Sequence, residues 1–479
     1  MLDTPLHWLS IGTLSRMIHD GSLSPVAVME HFLGRVEGLN DNLGAFHLVS
    51  REMALDGARA AELALRSGHD AGPLHGIPFA VKDIIDVRDL PTSAGSKALE
   101  GSIASRDATV VASLRRAGMV LLGKTRTVQF ALGAPGINRS QGTPHNPWSR
   151  AHHVPGGSSS GSAVAVAAGL VPMALGTDTG GSVRIPASLC GTVGLKPTAS
   201  QVSRAGVFPL SQSLDSVGPL SRCVKGAALA HSAIVGVDPR DPMTAHAIQP
   251  DTLRDLTGGV KGLRVGVAEG RFNDDLDPPV ARAVEQAVCV FERLGAAVRP
   301  LALPQAERAL EANPRLLISS VEAACAHAER LPNFEHYDAT LEFRLHEGRT
   351  ITGVEYVRAR RATAALADEA HDFLKDFDVF LSPTTPSTAR PLDEVDGSIE
   401  AYQHWNARYS RNTVIGNLLG LCAVSVPCGI DDDGLPIGLM IHAKRCDEAT
   451  ALRAAQAFES ATDWSERVPD LSWTIAGPT

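Results

Sequence analysis

The 479-residue sequence contains no CxxC pair and no HExxH. Its seven cysteines stand apart at positions 190, 223, 289, 325, 422, 428 and 446. Neither a disulfide framework nor a structural zinc is expected, no metal or organic cofactor is implied, and reduced thiols suit a cytoplasmic chain. A basic excess is missing too. Lys and Arg number 44 against 53 Asp and Glu, a net charge of −9, so no nucleic-acid-binding surface is expected. Long apolar runs are absent. The longest, Ala163 to Leu175, contains Pro172 and is too short to span a bilayer, so no membrane association is expected. The start, Met1-Leu2-Asp3-Thr4-Pro5, lacks the basic and apolar regions of a secretory leader. No internal repeat and no clear linker divides the chain, which reads as a single domain over 1–479.

What is present is an alternation of strands and helices. Residues 7–65 read as helices, with Ser24 as an N-cap ahead of Pro25. Short apolar runs follow at Gly76–Val81 and Met119–Leu122, the second after a helix capped by Asp107 and ending at Gly118. Further strands are expected at 263–267, 296–301 and 379–381, with a helix from Asp277-Pro278 to Gly295 between the first two and a loop at 382–386 after the last. Asp431-Asp432-Asp433-Gly434 reads as a turn. This pattern predicts an α/β fold with a large mixed, mostly parallel central sheet covered by helices on both faces. Within it, 66–220 is the expected catalytic core. Residues 303–375 are an Arg- and Glu-rich helical insertion expected to shape the substrate pocket.

The chemistry concentrates in 154–197. Val154-Pro155-Gly156-Gly157-Ser158-Ser159-Ser160-Gly161 leads into an Ala/Val helix, and Thr177-Asp178-Thr179-Gly180-Gly181-Ser182-Val183-Arg184 follows it. Glycine-rich turns let backbone N–H groups converge on an anion, so a serine after Thr179-Gly180-Gly181 would sit beside a ready oxyanion hole. The blander reading is two tight turns, with Ser158 capping the helix that begins near Gly161. A serine nucleophile needs a base, and no G-x-S-x-G elbow or well-placed histidine offers one: His152-His153 reads as solvated and His75 as a turn residue. A lysine can serve if burial lowers its pKa from about 10.4 by a few units. Lys82 ends the apolar run Ile77–Val81, although Asp83 offers it an ordinary ion pair. Spacing alone does not separate Lys82 from Lys124 and Lys196.

The segment Pro73-Leu74-His75-Gly76-Ile77-Pro78-Phe79-Ala80-Val81-Lys82-Asp83 resembles the lysine segment of the amidase signature family. Residues 154–197 resemble the signature itself, as do Ser425-Val426-Pro427-Cys428-Gly429 and Gly434-Leu435-Pro436-Ile437-Gly438 nearer the C-terminus. The resemblance implies an amide hydrolase with Ser182 as nucleophile, Lys82 as base and Ser158, after a cis peptide bond, as the relay between them. It implies oxyanion donors at Thr179, Gly180, Gly181 and Ser182, with Gly157, Ser159, Asp178 and Arg184 supporting the loops. The implied substrate is a small-molecule amide: an aryl or alkyl amide, or a dicarboxylic monoamide. The assembly considered is a homodimer. Ser160 stands where many members have Gly. Gly123–Ala131 lacks the Asn and acidic residue of the tRNA-dependent members, and Thr363 and Ser410 fall near where glutamine-handling members place Arg and Asp.

Three other readings compete. The chain could be the A subunit of a glutamyl-tRNA amidotransferase, passing ammonia to a partner. Gly118–Thr125 formally satisfies the P-loop pattern, but its four middle residues read as a strand rather than a phosphate loop. Cys190 could be the nucleophile, but its apolar setting suggests an inert thiol.

Overall fold

The computed structural model describes residues 4–249, 251–330 and 336–475. Among these residues eleven strands form one sheet: β1 Phe46–Val49, β2 Pro78–Lys82, β3 Val120–Thr125, β4 Met173–Asp178, β5 Val193–Lys196, β6 Ser216–Ser221, β7 Arg264–Ala268, β8 Ala297–Leu301, β9 Val379–Pro383, β10 Cys422–Ile430 and β11 Pro436–Ala443. Their order across the sheet is β1-β3-β2-β4-β6-β5-β10-β11-β9-β7-β8. The sheet is mixed. Its parallel ladders lie in two wings, β3-β2-β4 and β9-β7-β8, and the strands between the wings pair antiparallel.

Helices cover both faces, and strand alternation shows how. In β11, Ile437, Leu439 and Ile441 pack with the helices Val224–Ile234, Pro278–Arg293 and Glu448–Ser460. On the opposite face, Phe380 of β9 packs with Val414 and Ile415 of the helix Thr413–Leu418. The helix Ser160–Ala167 is buried along its whole length, which suits its unbroken Ala/Val sequence.

Several boundaries differ from the sequence reading. The N-terminal region is not wholly helical, because β1 interrupts it to pair with β3. Asp107 does not cap its helix. That helix is Thr109–Arg116, flanked by Ala108, and the Asp107 carboxylate instead accepts from the Arg88 amide and Arg115 Nη1 at 2.8 Å each. Strand β3 runs on to Thr125, and Ser382-Pro383 belong to β9 rather than to a loop. Ser24 does cap Pro25–Leu43, accepting from the Ala27 amide at 3.0 Å. The turn at 431–434 is present, with Asp431 Oδ1 accepting from the amides of Asp433 and Leu435.

Strands β2 and β4 pair in parallel, so Lys82 and Asp178 leave the sheet at the same edge, at the carboxyl ends of their strands. Binding sites of open α/β sheets form at such edges.

Candidate active site

Lys82 is fully buried, and its Nζ lies 2.7 Å from Ser158 Oγ and 2.8 Å from Thr177 Oγ1. Burial pulls its pKa down to about 7, against the opposing charges of Asp215 and Asp178. Asp83 is not its partner. As the next residue along the strand it faces the other way, where it pairs with Lys124 at 2.6 Å and accepts from Ser93. Lys124 also donates to the Pro91 carbonyl and Thr92 Oγ1, while Lys196 donates to the Pro197 carbonyl at 2.9 Å. The three lysines that spacing could not separate are all buried, but only Lys82 touches the Gly/Ser loops.

Ser158 follows a cis peptide bond from Gly157. The backbone is crowded here. A Cβ on Gly157 would stand 2.6 Å from the Gly133 carbonyl oxygen. Ser158 does not cap the next helix, which starts at Ser160 with Ser159 as its flanking residue and no side-chain cap. The Ser158 hydroxyl is turned to Lys82 instead, and its carbonyl accepts from Thr127 Oγ1 and the Val128 amide. Ser159 joins the two loops: its amide donates to the Ser182 carbonyl at 3.2 Å, and its Oγ bonds both the amide and the carbonyl of Thr177. Ser160 Oγ is buried and finds no partner among the described residues.

The loop bearing Ser182 is held by Asp178. Arg184 grips this carboxylate with two bonds of 3.0 Å, Asn417 Nδ2 donates at 2.9 Å, and the amides of Gly181 and Val183 donate at 2.8 and 3.2 Å. Burial alone would raise the carboxyl's pKa. The charge and hydrogen bonds of Arg184 overcome it and hold the group far below the usual carboxylate range. One expectation is corrected here: the Gly181 N–H is committed to Asp178 and is not a free oxyanion donor. Among the described residues, no acceptor takes the N–H of Thr179, Gly180 or Ser182. Gly181 adopts φ +134°, and a Cβ there would stand 2.2 Å from Thr413 Oγ1, which itself donates to the Gly180 carbonyl.

Asp215 was not singled out from the sequence. It is buried, accepts from Thr179 Oγ1 and from the amides of Leu210 and Ser211, and burial raises its pKa despite these bonds. Thr177, Thr413 and Asn417 were missed as well. Each makes its contact across a long stretch of sequence; Thr177 stands within the signature segment, but nothing local says that its hydroxyl meets Lys82, and no motif marks Thr413 or Asn417.

Ser182, Thr179 and Gly180 line a narrow cavity of about 70 Å³ with Leu132, Leu210 and Val414. It adjoins an outer cavity of about 560 Å³ through shared walls that include Leu132, Asn313, Arg344 and Ser410. Asn313, Leu316 and Arg344 come from the helical 303–375 segment, whereas Thr363 lies buried in the helix Gly353–Phe373, bonded to the Ala359 carbonyl. The rival sites fare poorly. Cys190 is buried, its Sγ donates to the Pro155 carbonyl, and burial pushes its pKa far up. Gly118–Thr125 is a strand with its Lys124 paired inside. His152 is exposed and stacks on His145. Among the described residues, no cluster of His, Cys, Asp and Glu could hold a metal, and no helix is long and apolar enough to cross a membrane.

An eleven-stranded sheet with a buried lysine joined to a serine of a Gly/Ser loop marks one class of α/β enzyme. The chain belongs to the amidase family, whose profile it matches over residues 27–452. It is 37% identical to the A subunit of the glutamyl-tRNA(Gln) amidotransferase of Thioalkalivibrio sulfidiphilus, over 97% of this chain and 99% of that one. It superposes on the native peptide amidase of Stenotrophomonas maltophilia with a TM-score of 0.83 at 30% identity, covering 98% of this chain and 100% of the other. A 6-aminohexanoate cyclic dimer hydrolase is similar in fold, with a TM-score of 0.87 at 26% identity over 97% of this chain and 99% of that one.

Proposed function

We propose that this enzyme hydrolyses a carboxylic amide through an acyl-enzyme on Ser182. The observation that carries this reading is the contact of buried Lys82 with Ser158 at 2.7 Å, beside the loop that presents Ser182 to a cavity. With Lys82 neutral, Ser158 Oγ–H donates to Nζ, since a hydroxyl both gives and accepts. As Ser182 Oγ adds to the amide carbon, its proton passes to Ser158 and the Ser158 proton passes to Lys82. The carbonyl becomes an oxyanion facing the N–H groups of Thr179, Gly180 and Ser182. The relay then runs backwards and protonates the leaving nitrogen, and ammonia or an amine departs. Water, activated by the same path, releases the acid and restores Ser182. Asp178 and Arg184 hold the loop rigid while charge develops.

The similarity to the amidotransferase over nearly the whole chain supports a second, narrower reading. In it the amide is that of glutamine, and the ammonia passes to a partner protein. The inner cavity bears on this, because among the described residues that line it Arg344 is the one charged side chain and no carboxylate would meet an α-ammonium. Both readings suit a cytoplasmic protein. They separate when the purified chain is assayed alone on a panel of amides that includes glutamine, with ammonia and amine release recorded. An amidase turns over simple amides without a partner. Turnover confined to glutamine, and only with the other amidotransferase components present, would favour the second reading. In either case intact-mass spectrometry should find the acyl adduct on Ser182, and Ser182→Ala should abolish both adduct and turnover. Adduct formation in that variant would overturn the proposal.

A further inference from the structure

The outer cavity is predominantly cationic. Among the described residues that line it, Arg271, Arg315, Arg344 and Arg411 stand against one carboxylate, Glu347. Glu347 is already shared, lying 3.2 Å from Arg344 and 3.6 Å from Arg315. Arg271 is only loosely offset by Asp274, at 4.0 Å. Arg411 reaches Asn412 Oδ1 with its Nε, while its Nη2 is buried and finds no partner among the described residues.

Arg344 is distinctive because it lines the narrow cavity at Ser182 as well as the outer one. Its Nη1 is anchored, donating to the Arg315 carbonyl at 2.9 Å and to Glu347 at 3.2 Å. Among the described residues nothing accepts from its Nη2 or Nε. A guanidinium tethered at one nitrogen, with its other donors uncommitted, is suited to a planar, bidentate acceptor. The cavity that Arg344 and Ser182 share is lined by the apolar Leu132, Leu316 and Val414 and by the polar Asn313, Asn406 and Ser410.

We propose that the acyl part of the substrate ends in a carboxylate held by Arg344, so that the preferred substrates are monoamides of short dicarboxylic acids. The amide carbonyl lies at Ser182, a short methylene chain lies along Leu132, Leu316 and Val414, and the far carboxylate meets the guanidinium. This rests on the acyl-enzyme reading above and deepens it. The arginines around the outer cavity would also draw an anionic substrate inward, an attraction that salt weakens.

The test compares succinamate, glutaramate and adipamate with the neutral amides butanamide, pentanamide and hexanamide, and with glutamine. For at least one matched length, kcat/KM should favour the carboxylate by about 10-fold or more, mainly through KM. The preference should shrink as ionic strength rises from about 0.05 to 0.5 M. Arg344→Gln should lower the carboxylate-to-neutral ratio by about 10-fold, and Arg344→Lys should restore it only in part. Glu347→Gln, which removes the competing anion, should raise the ratio, and this variant keeps the proposal testable if Arg344→Gln folds poorly. An equal or higher rate on the neutral amides in the wild-type enzyme, or a ratio unmoved by these variants, would overturn it. If Ser182→Ala still loses all turnover in that case, the acyl-enzyme reading stands and only the carboxylate proposal falls.

Discussion

As the proposed base, Lys82 must be neutral to accept a proton, so the pH profile of kcat/KM tests the site most directly. An unperturbed lysine, with a pKa near 10.4, is neutral in only about 0.04% of molecules at pH 7. In this structure burial brings Lys82 to about 7, so about half of the enzyme is competent at that pH. Activity should fall about 10-fold per pH unit in acid, to about 1% of the plateau at pH 5, and gain only about twofold between pH 7 and 9. Asp215 and Asp178 both favour the charged lysine. Removing one of these charges with Asp215→Asn should move the midpoint to lower pH, whereas a purely structural role for Asp215 would lower the rate without moving it. The assay is initial-rate hydrolysis well below KM from pH 5 to 10 at constant ionic strength, with melting followed in parallel to exclude unfolding. Lys82→Arg should be nearly inactive throughout, because a guanidinium does not deprotonate here. A profile that is flat across this range, or that rises only above pH 10, would refute the assignment of the base.

Ser158→Ala should lower kcat on amides by two or more orders of magnitude, cost less on p-nitrophenyl esters, and leave the melting temperature almost unchanged; parallel assays on both substrates check this. Arg184→Met should destabilise the fold by about 3–5 kcal/mol in urea titrations, because it leaves the Asp178 carboxylate buried without its cation. The depressed pKa of Asp178 sets the sign of the pH effect. The pair stabilises the fold above the unfolded carboxyl's pKa, near 3.9, and that contribution is lost as pH falls below it toward the depressed folded-state pKa, so the variant's deficit should be larger at about pH 7 than at about pH 2.5. Gly181→Ala should cost about 10²-fold or more in kcat, since the new methyl would have to displace Thr413 from the Gly180 carbonyl; kinetics together with a crystal structure of the variant would show both.

Much of this was legible in the sequence, because strand periodicity and glycine-rich turns are local signals. The strands read at Gly76–Val81 and Met119–Leu122, and the Ala/Val helix between the Gly/Ser loops, follow from short apolar runs. Phe46–Val49 escaped notice because four residues between two helices carry no period. Asp107 looked like a cap because it precedes a helix, but Arg115 and the Arg88 amide compete for its carboxylate. The choice among Lys82, Lys124 and Lys196 was not available from spacing, since each ends in a buried place. What distinguishes them is which partner the sheet order delivers, and sheet order is a long-range property. The same holds for Asp215, Thr413 and Asn417. The commitment of the Gly181 amide to Asp178 was also out of reach, because residue types in a turn do not say which N–H points inward.

The clasp on Asp178 has a consequence for the order of events on the ribosome. Arg184 and its carboxylate are synthesised early, but Asn417, which bonds both, follows 233 residues after Arg184. Thr413, which holds the Gly180 carbonyl, is equally late. Strand β5, just past the serine loop, likewise waits for β10 to pair with it, Gly194 against Ser425. A growing chain therefore carries its serine and lysine long before the parts that lock them in place, and it should emerge as a catalyst only when the segment from Thr413 through strand β10 has joined.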